Sequence, residues 1–380
     1  MEPISKTIAN IKREVDFHLE LSRLSALTQL LMRYPYNPFH WIKCLKHIPS
    51  LPQAPQADLS KYLLNQIQSF IKDNALIKTY SNNHQLLGLC IINQDRWDSE
   101  QLGFKVLKIP YLIAFGSNSG QQNIKSALLR QAISDCLKQC REVPQAPSGR
   151  QAVYIFTRMP DADATSINAL QEMEFMPVDS LITFAQVLKA HPSPASGSSS
   201  KVVVVNCSEE DLTSVMNIAF DSFIFDRFHS DRSIPKAAAD KVYSTWLKNS
   251  YQRGEILVAK TNDKIAGFIA HRIQTIPYLD LKIGIIDLVA THNNFRNLGI
   301  AKSLVTASLN YFSNQSVDIA KVGTQAANLP AIRLYQSCGF QIATSSISLR
   351  KWVLVEPESE QDPTRKGHSG TASWNSSTCL

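Results

Sequence analysis

A helix–turn–strand pattern occurs twice in this chain, and this repeat constrains the possible folds more than any other feature. The first copy, Thr165–Phe175, precedes an apolar run at 181–188. The second copy, Pro330–Phe340, lies 165 residues further on and precedes an apolar run at 347–354. The repeat favours a duplicated fold, although two unrelated helix–turn–strand segments would share the same outline.

Composition divides the chain into regions that fit such a duplication. The 380 residues with 44% hydrophobic content are sufficient for two domains of ordinary size. A Ser- and Pro-rich stretch between them has no apolar face to bury and is typical of a flexible linker. The predicted regions are a helical N-terminal extension at 1–60, a first domain at 61–189, a linker at 190–200, a second domain at 201–354 and a disordered tail at 355–380.

The composition also disfavours several classes of protein. The seven cysteines lack CxxC spacing and histidine partners at finger spacing, so we expect neither a metal site nor a disulfide framework. The N-terminus is polar and no window is apolar enough to cross a bilayer, so we expect a cytoplasmic protein without a membrane partner. The net charge of +7 is dispersed and no nucleic-acid-binding signature is present, which favours a small anionic ligand over nucleic acid.

The most informative local segment is 281–312, which predicts a strand, a polar turn and a helix. The first amides of a helix lack internal partners, and together with the helix dipole they attract an anion. Gly299 lies at the start of the helix and has no Cβ, so the backbone can approach a phosphate closely. Arg296 can add a charge-assisted contact. The segment therefore predicts a pyrophosphate site.

Two motifs in this half of the chain resemble those of the GNAT superfamily of N-acetyltransferases. The segment Arg296–Ala301 resembles the signature R/Q-x-x-G-x-G/A. The second motif, N-x-x-A-x-x-x-Y-x-x-x-G-F, is matched by Asn328, Ala331, Tyr335, Gly339 and Phe340. The resemblance implies an α/β (α+β) fold of tandem GNAT-like domains, each with a mixed, mostly antiparallel twisted sheet flanked by helices. It also implies acetyl-coenzyme A as acyl donor, direct transfer to a primary amine in a ternary complex, and no metal.

The resemblance assigns roles to individual residues. In the family, the strands before the two motifs splay apart and the pantetheine arm lies in the gap. The implied cofactor-binding residues are Leu288, Val289, Thr291, Arg296, Asn297, Leu298, Gly299, Ile300, Ala301, Asn328 and Ala331. Tyr335 matches the tyrosine whose hydroxyl protonates the departing thiolate, the alternative being a tyrosine that only packs on a helix face.

The sequence offers three candidates for the base that deprotonates the attacking amine. They are Asp287 on the predicted strand, His292 in the turn, and a water molecule relayed by backbone carbonyls. Asp287 is the candidate that we carry forward, although it could equally be a structural carboxylate.

Further segments resemble the TDP-4-amino-4,6-dideoxygalactose acetyltransferases within this superfamily. They are the segment 227–231 with the helix after it, and Trp97–Glu100 in the first domain. The resemblance implies a nucleotide-linked amino sugar as acceptor. The implied acceptor contacts are Arg227, His229, Asp231 and Glu100. The alternatives are a peptide or protein amine as acceptor, or a non-catalytic module that binds coenzyme A.

The first domain departs from the family pattern. It lacks the arginine of the first motif and has Leu170 and Glu174 where the second domain has Tyr335 and Gly339. The resemblance therefore identifies 201–354 as the catalytic domain and 61–189 as a degenerate copy. We expect the degenerate copy not to use acetyl-coenzyme A, and either to wall the acceptor site or to form a homodimer.

Overall fold

The fold was examined in a computed structural model, which describes residues 8–10, 17–44, 56–83, 85–140, 147, 149, 151–188, 202–220 and 222–355. The expected linker at 190–200 lies outside the described residues, as does the expected tail except for Val355. None of the described helices combines the length and apolar character that crossing a membrane requires.

The two halves of the chain have similar orders of elements, except that the first has a helix between its third and fourth strands and the second has an additional helix after its first strand. The first unit contains β1 (Ile8–Asn10), α1 (Phe17–Arg33), α2 (Gln56–Lys72), β2 (Leu76–Asn82), β3 (Gln85–Gln94), α3 (Arg96–Leu102), β4 (Val106–Ala114), α4 (Asn118–Lys138), β5 (Ala152–Pro160), α5 (Ala164–Glu172) and β6 (Met176–Val187). The second unit contains β7 (Val203–Asn206), α6 (Glu209–Phe220), α7 (Arg227–Ser230), α8 (Lys236–Gln252), β8 (Ile256–Thr261), β9 (Lys264–Ile276), β10 (Leu281–Thr291), α9 (Ile300–Asn314), β11 (Ile319–Gln325), α10 (Leu329–Ser337) and β12 (Gln341–Leu354). Short 3-10 helices lie at His40–Cys44 and Asn293–Phe295.

All the strands belong to one sheet with the order β1-β2-β3-β4-β5-β12-β6-β11-β10-β9-β8-β7. The pairs β4–β5 and β10–β11 are parallel, whereas the other neighbours are antiparallel. The predicted mixed, mostly antiparallel sheet flanked by helices is thus confirmed. The two units do not have separate sheets, because their strands form a single continuous one.

The units are joined by an exchange of their last strands. Strand β12 lies between β5 and β6 of the first unit, and β6 lies between β12 and β11. Ser346 pairs with Leu181, and these two residues are 165 positions apart, the offset of the sequence repeat. Equivalent pairs lie on either side of this one, with Gln341 opposite Ala185 and Arg350 opposite Met176. This two-fold relation of the register favours the duplicated fold.

The described residues before position 60 contribute to the first unit and are not a separate extension. The expected boundary at residue 60 falls inside α2, and β1 pairs with β2 as β7 pairs with β8. Leu31 of α1 and Leu63 of α2 are fully buried against strand residues that include Leu89. The described part of 1–60 contains the predicted helix in α1, but also the strand β1 where a helix was expected. The apolar faces of α1 and α2 are buried by the sheet, so both helices belong to its core.

The helix α9 packs against β10 by a close approach at one glycine. Leu304, Val305 and Phe312 of α9 are fully buried. A Cβ at Gly284 of β10 would lie 2.6 Å from ring carbons of Phe312, so only glycine leaves room for that ring. This contact fixes the helix over the strand that leads into the polar turn.

Candidate active site

The N-terminus of α9 presents a series of unpaired backbone amides. Gly299 is its N-cap residue with φ 77° and supplies no side-chain cap, and Asn297 also has a positive φ of 62°. Among the residues that the structure describes, the amides of 297–302 have no hydrogen-bond acceptor. A Cβ at Gly299 would meet no atom within 4 Å, so this turn opens away from the protein. Such a concave series of N–H groups at a helix start binds anions.

The corresponding end of α4 in the first unit is closed by its own side chains. The Ser117 hydroxyl caps α4 by accepting from the amide of Gly120 at 3.3 Å. The Gln121 side chain donates to the Gly116 carbonyl at 2.8 Å. The Ser117 hydroxyl thus accepts from one amide at the start of α4, whereas no side chain caps the start of α9.

Strands β10 and β11 separate from each other just before the first motif, where the family resemblance implies a gap for the pantetheine arm. Their parallel pairing ends at Ile286 and Val322. Beyond this pair, β10 continues along β9 and β11 continues along β6. A gap therefore opens between 288–291 and 323–325, and its free edges suit an extended ligand that pairs like an added strand. Leu288, Val289 and Thr291 of the predicted cofactor set lie along one side of this gap.

Asp287 lies at the point where the strands part. The register of β10 against β9 shifts between Ile286 and Leu288, which places Asp287 in a β-bulge. Its carboxylate accepts from Arg272 Nε at 2.9 Å, and the side chain is 7% exposed. Burial raises the pKa of the Asp287 carboxyl, and the Arg272 guanidinium opposes part of this rise. A carboxylate with a raised pKa is better matched to accepting a proton near neutral pH.

Tyr335 is held inside the second unit by aromatic neighbours. It lies on α10, is 4% exposed, and its ring centroid is 5.8 Å from that of Phe184 and 6.0 Å from that of Phe340. Burial raises the pKa of its phenol, so the hydroxyl stays protonated at neutral pH. The hydroxyl has no hydrogen-bond partner in the described part of the chain. It is therefore free to donate to an incoming ligand.

The remaining motif residues have local structural roles. Asn328 caps α10 by accepting from the amide of Ala331 at 3.3 Å, and Gly339 with φ 91° follows the end of the same helix. Arg296 and Leu298 are exposed on the turn before α9. Within the described ranges, the buried hydroxyl of Thr291 lacks a partner. We find no group of His, Cys, Asp and Glu side chains in those ranges that could hold a metal ion.

Two of the four expected acceptor residues contact the other unit. Arg227 forms an ion pair with Asp98 of the first unit, and its guanidinium lies 4.2 Å from the ring centroid of Phe156. Asp231 has a side-chain exposure of 0% and lies 2.9 Å from Arg350 Nε, and it accepts from the Tyr154 hydroxyl at 3.0 Å. Asp231 is thus a structural residue at the junction of the units rather than an acceptor contact, since every route to its carboxylate is covered.

The other two expected acceptor residues differ in their surroundings. His229 lies between Asp226 and Asp240, at 2.6 Å and 3.1 Å, and these carboxylates outweigh burial and raise its pKa. Glu100 on α3 is exposed to solvent. The basic side chains Arg227 and His229 of segment 227–231 therefore contact mainly carboxylates of the protein itself.

Comparisons with known proteins agree with this geometry. Residues 214–340 match the acetyltransferase (GNAT) family. The spore coat polysaccharide biosynthesis protein SpsD of Bacillus subtilis (strain 168) is 24% identical over 272 residues, which cover 71% of this chain and 86% of that protein. A GCN5-related N-acetyltransferase from Sphaerobacter thermophilus has a similar fold, with a TM-score of 0.56 at 14% identity over 79% of this chain and 90% of its own.

A second solved structure has the same fold. It is a GCN5-related glucosamine N-acetyltransferase region within a fungal multi-domain GH3 β-N-acetylglucosaminidase, with a TM-score of 0.51 at 12% identity. The likeness covers 90% of this chain and 38% of that chain. At such identities the structural likeness establishes the fold, and the chemistry has to be argued from the site.

Proposed function

Since residues 214–340 form an acetyltransferase domain of the GNAT family, we propose that this enzyme transfers acetyl from acetyl-coenzyme A directly to the primary amine of a small acceptor. The observation that carries the proposal is the open amide series at 297–302 beside the gap between β10 and β11. The amides are placed to hold the diphosphate of coenzyme A, and the gap is placed to hold the pantetheine arm.

Chemistry at the acetyl group needs a neutral amine and a stabilised leaving thiolate. In the proposed step Asp287 accepts a proton from the ammonium group, either directly or through water. The amine nitrogen then attacks the thioester carbon, the C–S bond breaks, and the Tyr335 hydroxyl donates its proton to the departing sulfur. The nitrogen loses its second proton, which returns to the Tyr335 phenolate through water, and the products are the amide and the coenzyme A thiol. No covalent acyl-enzyme is formed, so both substrates are bound together when the acetyl group moves.

An amino sugar is the acceptor class that we favour, in nucleotide-linked form. The name of the SpsD protein places that relative in polysaccharide biosynthesis, and the fungal neighbour is named for glucosamine acetylation. The segments 97–100 and 227–231 resemble those of nucleotide-sugar acetyltransferases, and Arg227 connects them through its ion pair with Asp98. This supports an acceptor site at the junction of the two units.

Acetyl transfer to glucosamine, nucleotide-linked amino sugars and peptides tests the proposal. We expect release of free coenzyme A thiol with at least one amino sugar, and intersecting initial-rate lines when both substrates are varied. Parallel lines would indicate an acyl-enzyme and contradict direct transfer. Binding of acetyl-coenzyme A without turnover of any amine would instead favour a non-catalytic module, and turnover of peptides alone would exclude the sugar.

The role of Asp287 gives a pH prediction. A base works only when deprotonated, so kcat should fall as pH decreases through the raised pKa of this carboxyl. We expect D287N to lower kcat at pH 7 and to abolish this fall in kcat at acidic pH. The loss at pH 7 is limited to about tenfold because an amine can also lose its proton to bulk water. His292→Gln is the matched control, and loss of the limb in that variant would transfer the role to His292.

A further inference from the structure

A cavity of about 300 Å³ lies across the junction of the two units. Segment 34–41, which follows α1, forms one wall, and the ends of β4 and β5 form another. The exchanged strands β6 and β12 contribute to the lining together with Lys321 of β11. A cavity of this size suits a small ligand rather than a few water molecules.

The charge of the cavity is positive. Arg158 and Lys321 both line it, and its lining contains no carboxylate. Arg158 is 35% exposed, donates to the Ser348 hydroxyl at 3.0 Å and lies 4.0 Å from Asp179, outside the lining. Lys321 has no ion pair in the part of the chain described, and its ammonium lies 4.8 Å from the ring centroid of Trp41. A cation of this kind, unpaired and half-buried, attracts an anion.

The like charges around Lys321 strengthen this argument. Burial lowers the pKa of its ammonium, and the guanidiniums of Arg272 and Arg158 lower it further. The guanidiniums of Arg272 and Arg158 each lie beside a carboxylate, Asp287 and Asp179, whereas Lys321 has no ion pair among the described residues. A bound anion would relieve this repulsion, so the site gains from a negatively charged ligand.

Hydroxyl groups make up much of the remaining polar lining. Those of Thr183, Ser345 and Ser346 form no hydrogen bond within the described residues. The Tyr36 hydroxyl donates to the Ala162 carbonyl at 2.9 Å, which leaves its lone pairs to accept. Free hydroxyls beside aromatic rings suit a ligand that itself carries several hydroxyl groups, such as a sugar.

The cavity lies at the first unit's counterpart of the gap between β10 and β11, because the parallel pairing of β4 and β5 ends at Ile109 and Thr157 and residues 110–112 and 158–160 line the cavity. Asp163 caps α5 and lies 165 positions before Asn328, the cap of α10. Its carboxylate accepts from the Tyr34 hydroxyl at 2.5 Å and from the Lys125 ammonium at 2.8 Å. These bonds join segment 34–41, which lines the cavity, to α4 and α5.

Lys321 in the cavity lining lies on the strand next to the one that carries Asp287. Lys321 pairs with Ile285 of β10, two residues before Asp287. Spacings of about 3.3 Å per residue and about 4.8 Å between strands place the backbones of Lys321 and Asp287 about 8 Å apart. Lys321, Ile285 and Arg272 are paired neighbours on β11, β10 and β9, so their side chains share a face of the sheet. The Arg272 guanidinium donates to the Asp287 carboxylate, which brings that carboxylate to the same face. One small molecule can therefore span the two groups.

We propose that this cavity binds a glycosyl phosphate, the sugar-phosphate part of the amine acceptor, with Lys321 and Arg158 contacting the phosphoryl oxygens. Thr183, Ser345 and Ser346 contact the sugar hydroxyls, and the amine points toward Asp287. The proposal rests on the proposed acetyl transfer and gives segment 34–41 the role of a wall of the acceptor site.

Calorimetry with two non-reacting probes, glucose 1-phosphate and UDP-glucose, tests the cavity without acetyl-coenzyme A. Neither probe has an amine, so binding is measured apart from acetyl transfer. We expect binding by the full-length protein, at least a tenfold rise in Kd for Lys321→Gln, and partial recovery for Lys321→Arg. The exposed Lys264 on β9 supplies the control, and Lys264→Gln should bind like the wild type. Tighter binding of UDP-glucose would identify a nucleotide-linked sugar, and tighter binding of glucose 1-phosphate a free sugar phosphate.

The outcomes separate this proposal from the proposed function. No binding of either probe to the wild type overturns the cavity assignment, whatever the acetyl-transfer assay gives. Binding that is lost in G299V but kept in Lys321→Gln means that the probe occupies the diphosphate turn, and this also overturns it. If Lys321→Gln keeps full kcat/KM for an amino-sugar phosphate, the proposed acetyl transfer is supported, but the cavity is not the acceptor site of the enzyme. Thermal unfolding of each variant confirms that the fold is retained.

Discussion

Replacing Tyr335 with phenylalanine is expected to lower kcat about 100-fold or more while changing the Kd of acetyl-coenzyme A less than twofold. The aromatic ring keeps its contacts with Phe184 and Phe340, so packing is preserved. Only the donor to the departing sulfur is lost, and general-acid groups contribute about 10²–10⁴ in rate. Stopped-flow release of the coenzyme A thiol gives kcat, and calorimetry gives Kd.

A structural role for Tyr335 would give the opposite pattern. If the hydroxyl mainly supports the fold or the cofactor, then Y335F raises Kd or lowers the midpoint of thermal unfolding and leaves kcat nearly unchanged. Tyr311→Phe is the matched control, because this tyrosine lies on α9 of the same unit with 43% exposure. We expect that variant to resemble the wild type in both quantities.

Local chemistry made much of the site predictable from the sequence. Gly299 and Gly339 take positive φ at helix boundaries, and Asn328 caps α10, because each conformation depends on a few neighbouring residues. The helix and strand that flank Gly299 follow from apolar periodicity in the same way. Because the backbone conformation of such a motif depends on its own residues, a match to those residues also predicts the local structure of the motif.

Long-range contacts were not predictable on the same basis. The ion pair of Asp231 with Arg350 joins residues from different units, and the loop sequence alone suggested a ligand contact. Lys321 and Arg158 carry no motif, and they lie near one cavity only because β6 and β12 are exchanged. Hydrophobic periodicity fixes which face a residue occupies and leaves open which strand lies beside it.

The boundary at residue 60 shows the same limit. The apolar spacing before Pro35 predicts a helix, as found in α1, and the prolines at 35–55, between α1 and α2 in the sequence, are typical of a loop or linker. In the structure Trp41 between these helices is 4% exposed and contacts Lys321 of the second unit. A short connection that packs against a distant strand has the composition of a linker, because its partner is encoded elsewhere in the chain.

The second large effect is expected for Gly299→Val, which should raise the Kd of acetyl-coenzyme A about 100-fold. The glycine has φ 77°, a conformation that costs an L-residue about 1–2 kcal/mol. A Cβ there would meet no protein atom within 4 Å, so the added methyl groups extend into the space where the diphosphate would approach the amides. Both effects disturb the amide series at 297–302, and calorimetry with acetyl-coenzyme A measures the result.

A matched glycine separates backbone strain from loss of the anion site. Gly103 caps α3 with φ 78°, and a Cβ there also meets no atom within 4 Å. Gly103→Val should therefore lower the midpoint of thermal unfolding about as much as G299V while binding acetyl-coenzyme A like the wild type. If both variants bind equally well, the turn at Gly299 does not hold the diphosphate. If both lose binding equally, the loss comes from the fold, and only a difference between them locates the cofactor at the start of α9.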